Sequence, residues 1–321
     1  MKFKKIFIIG LSVLFLFFSL SCSSGNKKEN ESKELLVFHA GSLSLPFKQI
    51  AKAFQEKNPG ITVKLEAAGS VASARKITDL HRYCDVFASA DYKVIDEMLI
   101  PEYANFNIKF AGNEMAIVYT EHSKFADEIN AQNWMDILLK DEVAYGRSNP
   151  NDDPCGYRTV LVAKLAEKYY NLEDFAAKLL AKDQKYIRPK ETDLLALLES
   201  GNLDYIFLYR SVAQQHHLKY LLLPDSINLK KFELKDYYSS VETQIRGKKK
   251  GEMITKKGAP MVYGITLHND AEKNELAVKF LDFILSEGMR IMEENGQTSL
   301  VPSPTKTYDK IPESLKKYAK P

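Results

Sequence analysis

Segments with the hydrophobic spacing of helices alternate with segments that have the hydrophobic pattern of strands along most of the chain. Phe47, Ile50, Ala51 and Phe54 recur at i, i+3, i+4 and i+7, the spacing of one apolar helix face. Short apolar or alternating runs that predict strands lie at residues 35–38, 61–66, 85–89, 115–119, 143–146, 204–209 and 261–267. Strands separated by helices indicate an α/β fold built on mostly parallel sheets flanked by helices.

The order of these elements predicts two βα lobes joined by two crossing segments. About 285 residues follow the N-terminal region, which is enough chain to bury two cores. The predicted boundaries are residues 35–112 with 268–321 for lobe I, 113–260 for lobe II, and crossings near 112–119 and 260–267.

The N-terminus predicts export. Residues 1–5 carry three lysines and residues 6–20 are almost wholly apolar, so residues 1–21 are typical of a signal peptide. A membrane-spanning helix needs about 20 apolar residues, which is longer than this run. Cys22 follows small residues, as at a bacterial lipoprotein cleavage site, and this similarity implies a lipidated N-terminus. Simple secretion with an incidental cysteine is the alternative. Residues 22–34 are polar and predict a tether.

Charge and cysteine content exclude some classes of protein. The full chain has 45 basic and 42 acidic residues, and removal of Lys2, Lys4 and Lys5 with the signal leaves 42 of each. A near-neutral mature chain argues against nucleic-acid binding, which requires a basic face. Cys84 and Cys155 share no short spacing, so neither a disulfide framework nor a zinc site is predicted.

Two Gly-Ser turns predict an anion site. Gly41-Ser42 and Gly69-Ser70 each follow a predicted strand and open a predicted helix. A helix N-terminus presents free backbone N–H groups to an anion, and ligands of open α/β sheets sit beyond the carboxyl ends of the strands. The alternative is that both serines are ordinary N-caps.

A longer motif block gives a family resemblance. The block GRSNPNDDPCGYR at residues 146–158 stands between FHAGSL at 38–43 and RPKETD at 188–193. With YRSVAQQHHLKYL at 209–221 and PMVYGITL at 260–267, it resembles the tungstate/molybdate-binding proteins of ABC importers, best known from archaea. The resemblance implies a two-lobed type II periplasmic-binding-protein fold. It also implies a monomeric, non-enzymatic protein without a cofactor, which carries tungstate or molybdate in the interlobe cleft to membrane permease subunits.

The same resemblance implies the binding residues. Asp153 and Glu191 would approach the metal atom of the oxyanion, because molybdenum(VI) and tungsten(VI) accept further oxygen ligands, whereas sulfur in sulfate does not. The two acids would thereby repel sulfate and phosphate. Without the resemblance, Asp153 would be interpreted as a turn residue before Pro154, and Glu191 as an acidic residue in the first turn of a helix. The implied ligand-binding set is Gly41, Ser42, Ser70, Asp153, Pro154, Cys155, Glu191 and Tyr209.

Two other functions remain open at this stage. The first is a binding protein for sulfate, phosphate or ferric iron, because a fold does not determine its ligand. The second is an exported hydrolase that uses Ser42 or Ser70 as its nucleophile. Neither serine lies in a G-x-S-x-G motif, which disfavours the hydrolase.

Overall fold

Strands and helices alternate through most of the chain. The computed structural model describes residues 33–249 and 251–321. The strands are β1 (Lys33–Ala40), β2 (Ile61–Ala68), β3 (Val86–Ser89), β4 (Ile108–Gly112), β5 (Met115–Tyr119), β6 (Tyr145–Ser148), β7 (Ile187–Arg188), β8 (Tyr205–Tyr209), β9 (Lys219–Leu222), β10 (Glu242–Arg246), β11 (Met253–Lys257), β12 (Val262–Leu267), β13 (Thr298–Ser299), β14 (Ser303–Pro304) and β15 (Ala319–Lys320).

The helices cover the faces and edges of the sheets. The α-helices are α1 (Ser44–Lys57), α2 (Ser70–Thr78), α3 (Tyr92–Val94), α4 (Trp134–Leu139), α5 (Pro154–Tyr170), α6 (Phe175–Ala181), α7 (Leu195–Glu199), α8 (Arg210–Gln215), α9 (Lys235–Tyr238), α10 (Glu275–Leu285) and α11 (Glu287–Glu294). A π-helical segment spans Ile95–Leu99. The 3₁₀ turns are Gly41–Leu43, Gln184–Tyr186, Glu191–Leu194, Phe232–Leu234, Asn269–Ala271, Tyr308–Lys310 and Glu313–Tyr318.

Two sheet-containing lobes confirm the predicted α/β fold class. The first sheet has the order β13-β4-β12-β3-β1-β2, and the second has the order β7-β6-β8-β5-β9. In the first sheet β1 runs parallel to β2 and β3, while β12 is antiparallel to β3 and β4. In the second sheet β6 runs parallel to β7 and β8, while β5 is antiparallel to β8 and β9.

Both sheets are therefore mixed, with more antiparallel pairing than the prediction of mostly parallel sheets implied. Parallel neighbours require a crossover connection, usually through a helix. Strands β4, β5 and β12 instead flank the two connections between the sheets, and each enters its sheet without such a crossover. Hydrophobic periodicity reports which face of a strand is buried but carries no information on strand direction.

Short peptides lie near both predicted crossings. Residues 115–119 form β5 of the second sheet, and residues 262–267 form β12 of the first. Residues 113–114 connect β4 to β5, and residues 258–261 connect β12 to β11, which forms a separate two-stranded sheet with β10. The C-terminal segment returns to the first sheet, where β13 pairs with β4.

The predicted helix face packs into the core as expected. Phe47, Ile50, Ala51 and Phe54 of α1 are all buried. The Phe54 ring meets the rings of two α10 phenylalanines edge-on, at centroid distances of 4.8 and 5.4 Å. Such aromatic pairs contribute about 0.5–1.5 kcal/mol each beyond area burial. The contact fixes α1, and with it the turn that precedes α1.

The predicted signal peptide, Cys22 and most of the tether lie outside the described residues. Within the part of the chain that the structure describes, no helix has both the length and the apolar character needed to cross a membrane. Cys84 and Cys155 are both buried with free thiols.

Candidate functional site

The two Gly-Ser turns lie side by side. Strands β1 and β2 are parallel neighbours, and their register places Ala40 opposite Ala68 at the carboxyl ends. The Gly41–Leu43 turn follows the first of these residues, and α2 begins at Ser70 just after the second. The structure therefore brings Ser42 and Ser70 to one edge of the first sheet, and both side chains are almost fully buried.

Neither serine side chain acts as an N-cap. The N-cap positions are Ala40 and Gly69, and no side chain caps either helix start. The Ser70 hydroxyl accepts a hydrogen bond from the Ala90 backbone N–H at 3.0 Å, and the Ser42 hydroxyl lies 2.9 Å from the Tyr263 hydroxyl. Because the hydroxyl of Ser70 already acts as an acceptor, its proton remains available for a ligand.

Asp153 joins two segments of the second lobe. As the N-cap of α5, its Oδ1 accepts from the Cys155 backbone N–H at 3.1 Å. Its Oδ2 accepts from the Glu191 backbone N–H at 2.8 Å. The side chain is 1% exposed. Asp153 therefore positions Glu191, and each of its oxygens keeps a further lone pair for a ligand.

Glu191 has the most unusual environment of the predicted residues. It is fully buried, and neither carboxylate oxygen has a hydrogen-bond partner among residues 33–249 and 251–321. A Cβ placed on Gly41 would lie 2.9 Å from both oxygens, so this carboxylate faces the first Gly-Ser turn across the lobes. Leaving a buried polar group unpaired costs about 1–3 kcal/mol, and more for a charged group.

The electrostatics of the two acids favour a positive partner. Burial raises the pKa of Glu191 well above its ordinary range, and the neighbouring Asp153 carboxylate raises that pKa further. Burial also raises the pKa of Asp153, although the side chains of Glu191 and Ser148 and the backbone hydrogen bonds from Cys155 and Glu191 oppose the shift. Two adjacent carboxylates in a dry site are destabilised as anions. A ligand that presents an electron-poor atom to them would relieve this cost.

Tyr209 supplies a third hydroxyl. Arg158 is 4% exposed, and its guanidinium donates to the Tyr209 hydroxyl at 2.9 Å. Burial raises the pKa of Tyr209 well above its ordinary range, so the phenol keeps its proton. Because a guanidinium cannot accept a hydrogen bond, the Tyr209 proton points elsewhere. Arg158 thus orients a donor at the end of β8, a role that sequence reasoning did not identify.

Pro154 and Cys155 contribute differently from the acids. Pro154 is the first residue of α5 and has no N–H. The Cys155 backbone N–H is bonded to Asp153, and its thiol lies 3.6 Å from the Phe207 carbonyl oxygen. Both residues hold the start of α5 in place, and their predicted contact with the ligand stays a prediction.

Direct contacts link the lobes around this site. The Ala72 backbone N–H donates to the Asp152 carbonyl at 3.0 Å. Arg75 of α2 donates to the carbonyls of Asn151 and Arg246 at 2.7 and 2.9 Å. A Cβ on Gly69 would lie 2.3 Å from the Asp152 carbonyl oxygen. The loop that carries Asp153 is therefore held against the second Gly-Ser turn.

Two residues outside the predicted set complete the network. Tyr263 is fully buried on β12 and contacts both Ser42 and Asn113. Its ring centroid is 6.3 Å from that of Tyr209. Asn113 stands on the connection between the sheets and is also buried. Within the described residues, no group of three or more His, Cys, Asp or Glu side chains is arranged to hold a metal ion.

Comparisons with known proteins agree with this architecture. A family model described as "Bacterial extracellular solute-binding protein" matches residues 35–297. An uncharacterized solute-binding protein of Petrotoga mobilis is 51% identical, with 91% of this chain and 92% of that protein covered. The molybdate/tungstate-binding protein WtpA of Thermococcus kodakarensis is 44% identical, with 98% and 96% covered.

Solved structures show the same fold. The periplasmic molybdate-binding protein of Azotobacter vinelandii superposes with a TM-score of 0.60 at 17% identity, covering 84% of this chain and 99% of that one. The sulfate-binding protein SubI of Mycobacterium tuberculosis gives 0.57 at 11% identity, covering 84% and 88%. Likeness at these identities shows the fold and leaves the ligand open.

Proposed function

Because the chain belongs to the bacterial extracellular solute-binding protein family, we propose that it captures tungstate or molybdate between its lobes and delivers it to an ABC importer. The observation that carries the proposal is the Glu191 carboxylate, which is buried without a hydrogen-bond partner in the described structure and faces the Gly41 turn. The names of relatives at 44% and 43% identity support the same cargo. We propose further that the chain acts as a monomer and catalyses no reaction.

The chemistry of the cargo explains the two acids. Hydroxyl donors at Ser42, Ser70 and Tyr209 suit any oxyanion. Carboxylates do not, since a carboxylate beside a dianion is repulsive and burial increases the repulsion. In tungstate and molybdate, however, the central metal is a hard centre that accepts oxygen ligands. Asp153 and Glu191 would bind that atom and so separate these oxyanions from sulfate.

Binding measurements test the proposal directly. Isothermal titration of the mature protein with tungstate, molybdate and sulfate should show the first two binding at least about 100-fold more tightly than sulfate, because like-charge juxtaposition costs several kcal/mol. Equal or tighter sulfate binding would contradict the role given to the acids. The serine-hydrolase alternative finds no support in the geometry, since Ser42 and Ser70 contact Tyr263 and the Ala90 backbone rather than a histidine base.

We also propose the cellular placement and the lobe boundaries. Residues 1–21 would be removed on export, and Cys22 would carry the lipid that tethers the protein to the membrane. The intact mass of protein extracted from membranes should equal residues 22–321 plus acyl groups, and an unmodified Cys22 would contradict the anchor. The first lobe would comprise residues 35–112 and 268–321, and the second lobe residues 113–260, with closure about the crossings near 112–119 and 260–267.

A further inference from the structure

A chain of hydrogen bonds leads from the connection between the lobes to the first Gly-Ser turn. The Asn113 side-chain amide donates to the Tyr263 hydroxyl at 3.0 Å, and that hydroxyl lies 2.9 Å from the Ser42 hydroxyl. All three side chains are at most 5% exposed. The direction of the second bond decides whether Ser42 offers a ligand a proton or a lone pair.

The orientation of the Asn113 amide follows from its neighbours. Its Oδ1 accepts from the Glu114 backbone N–H at 2.9 Å, and the Ser211 backbone N–H lies 3.5 Å away on the same side. Backbone N–H groups can only donate, so the oxygen must face them and the nitrogen must face Tyr263. The other amide proton goes to the Ser211 hydroxyl at 2.7 Å.

The Tyr263 proton then has one destination among the described contacts. Its hydroxyl oxygen accepts from Asn113, and its remaining neighbour is Ser42. Burial raises the pKa of Tyr263 above its ordinary range, so the phenol remains protonated. A buried hydroxyl proton without an acceptor is unfavourable, so Tyr263 donates to Ser42. The Ser42 proton is left free.

We propose that Asn113 and Tyr263 are positioning residues that orient the Ser42 hydroxyl as a hydrogen-bond donor to the bound oxyanion. The inference rests on the proposed function and deepens it. Ser70 and Tyr209 are prepared in the same way, by incoming donors from the Ala90 backbone and Arg158. All three hydroxyls thus keep their protons for a ligand that carries only acceptor oxygens, as a fully deprotonated oxyanion does.

A double-mutant cycle tests this relay. In Asn113→Asp the introduced carboxylate accepts a hydrogen bond from the Tyr263 hydroxyl. The Ser42 hydroxyl must then donate its hydrogen bond to Tyr263, and a lone pair of the Ser42 oxygen faces the anion. Tungstate affinity in isothermal titration should fall about 100-fold, since hydrogen bonds to charged groups are among the stronger ones. Tyr263→Phe alone removes the relay without reversing it and should weaken binding about fivefold.

The combined variant separates the relay from simple charge repulsion. With the Tyr263 hydroxyl removed, Asn113→Asp can act only through its charge. It should therefore lower tungstate affinity by less than about tenfold relative to Tyr263→Phe alone. An equal loss in both backgrounds would overturn the relay while leaving the proposed function intact. Absence of tungstate and molybdate binding by the unmodified protein would overturn the proposed function and the relay with it.

Folding is checked by thermal unfolding of each variant without ligand. If Asn113→Asp does not fold, Asn113→Ala replaces it in the same cycle, because it removes the amide donor without adding charge. Its loss of affinity should be at most the approximately fivefold loss of Tyr263→Phe in the native background, and it should be absent in the Tyr263→Phe background. Equal losses in the two backgrounds would again overturn the relay.

Discussion

Glu191→Gln is expected to weaken tungstate binding by at least about 100-fold and to stabilise the ligand-free protein at pH 8 by about 1–3 kcal/mol. Both effects have one cause. The carboxylate is fully buried without a hydrogen-bond partner in the described structure, so its charge is unfavourable until a ligand compensates it. The neutral amide has the same shape but is a poor ligand for a hard metal centre.

The pH dependence provides a separate check on the same residue. Burial raises the pKa of Glu191 above its ordinary value of 4.5, so the folded protein binds more protons than the unfolded chain above that pH. Stability of the ligand-free protein should therefore fall as pH rises from about 4.5 through the raised pKa. Glu191→Gln should reduce this slope, and the slope due to Asp153 should remain, because its pKa is raised as well.

Thermal unfolding between pH 5 and 8.5 and isothermal titration at pH 8 measure these effects. Asp193→Asn is the matched control, because Asp193 lies in the same 3₁₀ turn, is partly exposed and pairs with Lys190 at 3.0 Å. It removes the same formal charge and should leave tungstate affinity nearly unchanged. A Glu191→Gln protein that binds tungstate as tightly as the unmodified protein would contradict metal ligation by this carboxylate.

The selectivity of the site is assigned to both acids together. Asp153→Ala combined with Glu191→Ala should remove the preference for tungstate over sulfate. The hydroxyl donors of Ser42, Ser70 and Tyr209 remain, and these suit both anions. An unchanged preference in the double variant would mean that discrimination resides in the hydroxyls or in the size of the site.

The first-lobe part of the site was predictable from local pattern. Alternating strand and helix periods place Gly41-Ser42 and Ser70 at the ends of successive strands, and parallel pairing of β1 and β2 brings those ends together. Asp153 was interpreted from local pattern as a turn residue before Pro154, whereas the structure makes it the N-cap of α5. These features are determined by residues close together in sequence, so they do not depend on contacts with distant segments.

The remaining features depend on contacts between distant segments. A glutamate in a first helical turn ordinarily faces water, and Glu191 is buried because the Gly41 turn of the other lobe covers it. Family resemblance identified this residue, and periodicity did not. Tyr263 lies in an apolar sequence segment that predicts a strand packed in the core. Its hydroxyl becomes part of the site because it contacts Asn113 and Ser42. The directions of β5 and β12 likewise depend on pairing with strands distant in sequence, which hydrophobic periodicity does not report.

Gly41→Ala is the second change with a large expected effect, and it tests closure without removing any binding group. The added methyl would lie 2.9 Å from both Glu191 oxygens and 3.0 Å from the Thr192 hydroxyl, so these side-chain ends would have to move. Gly41 is not among the glycines with positive φ, so alanine fits its backbone and folding should persist. The clash arises where the lobes meet, and tungstate affinity should therefore fall about 10- to 100-fold, since overpacking costs about 1–3 kcal/mol.

Gly112→Ala is the matched control, because its nearest neighbour would be 3.6 Å away, an ordinary contact. It should bind tungstate as the unmodified protein does, and both variants should unfold at similar temperatures without ligand. Gly41→Ala should add little to the loss caused by Glu191→Ala, since the truncated side chain no longer meets the methyl. Additive losses would show instead that Gly41 contributes through its own backbone contact with the anion, and that Glu191 does not approach this turn in the bound state.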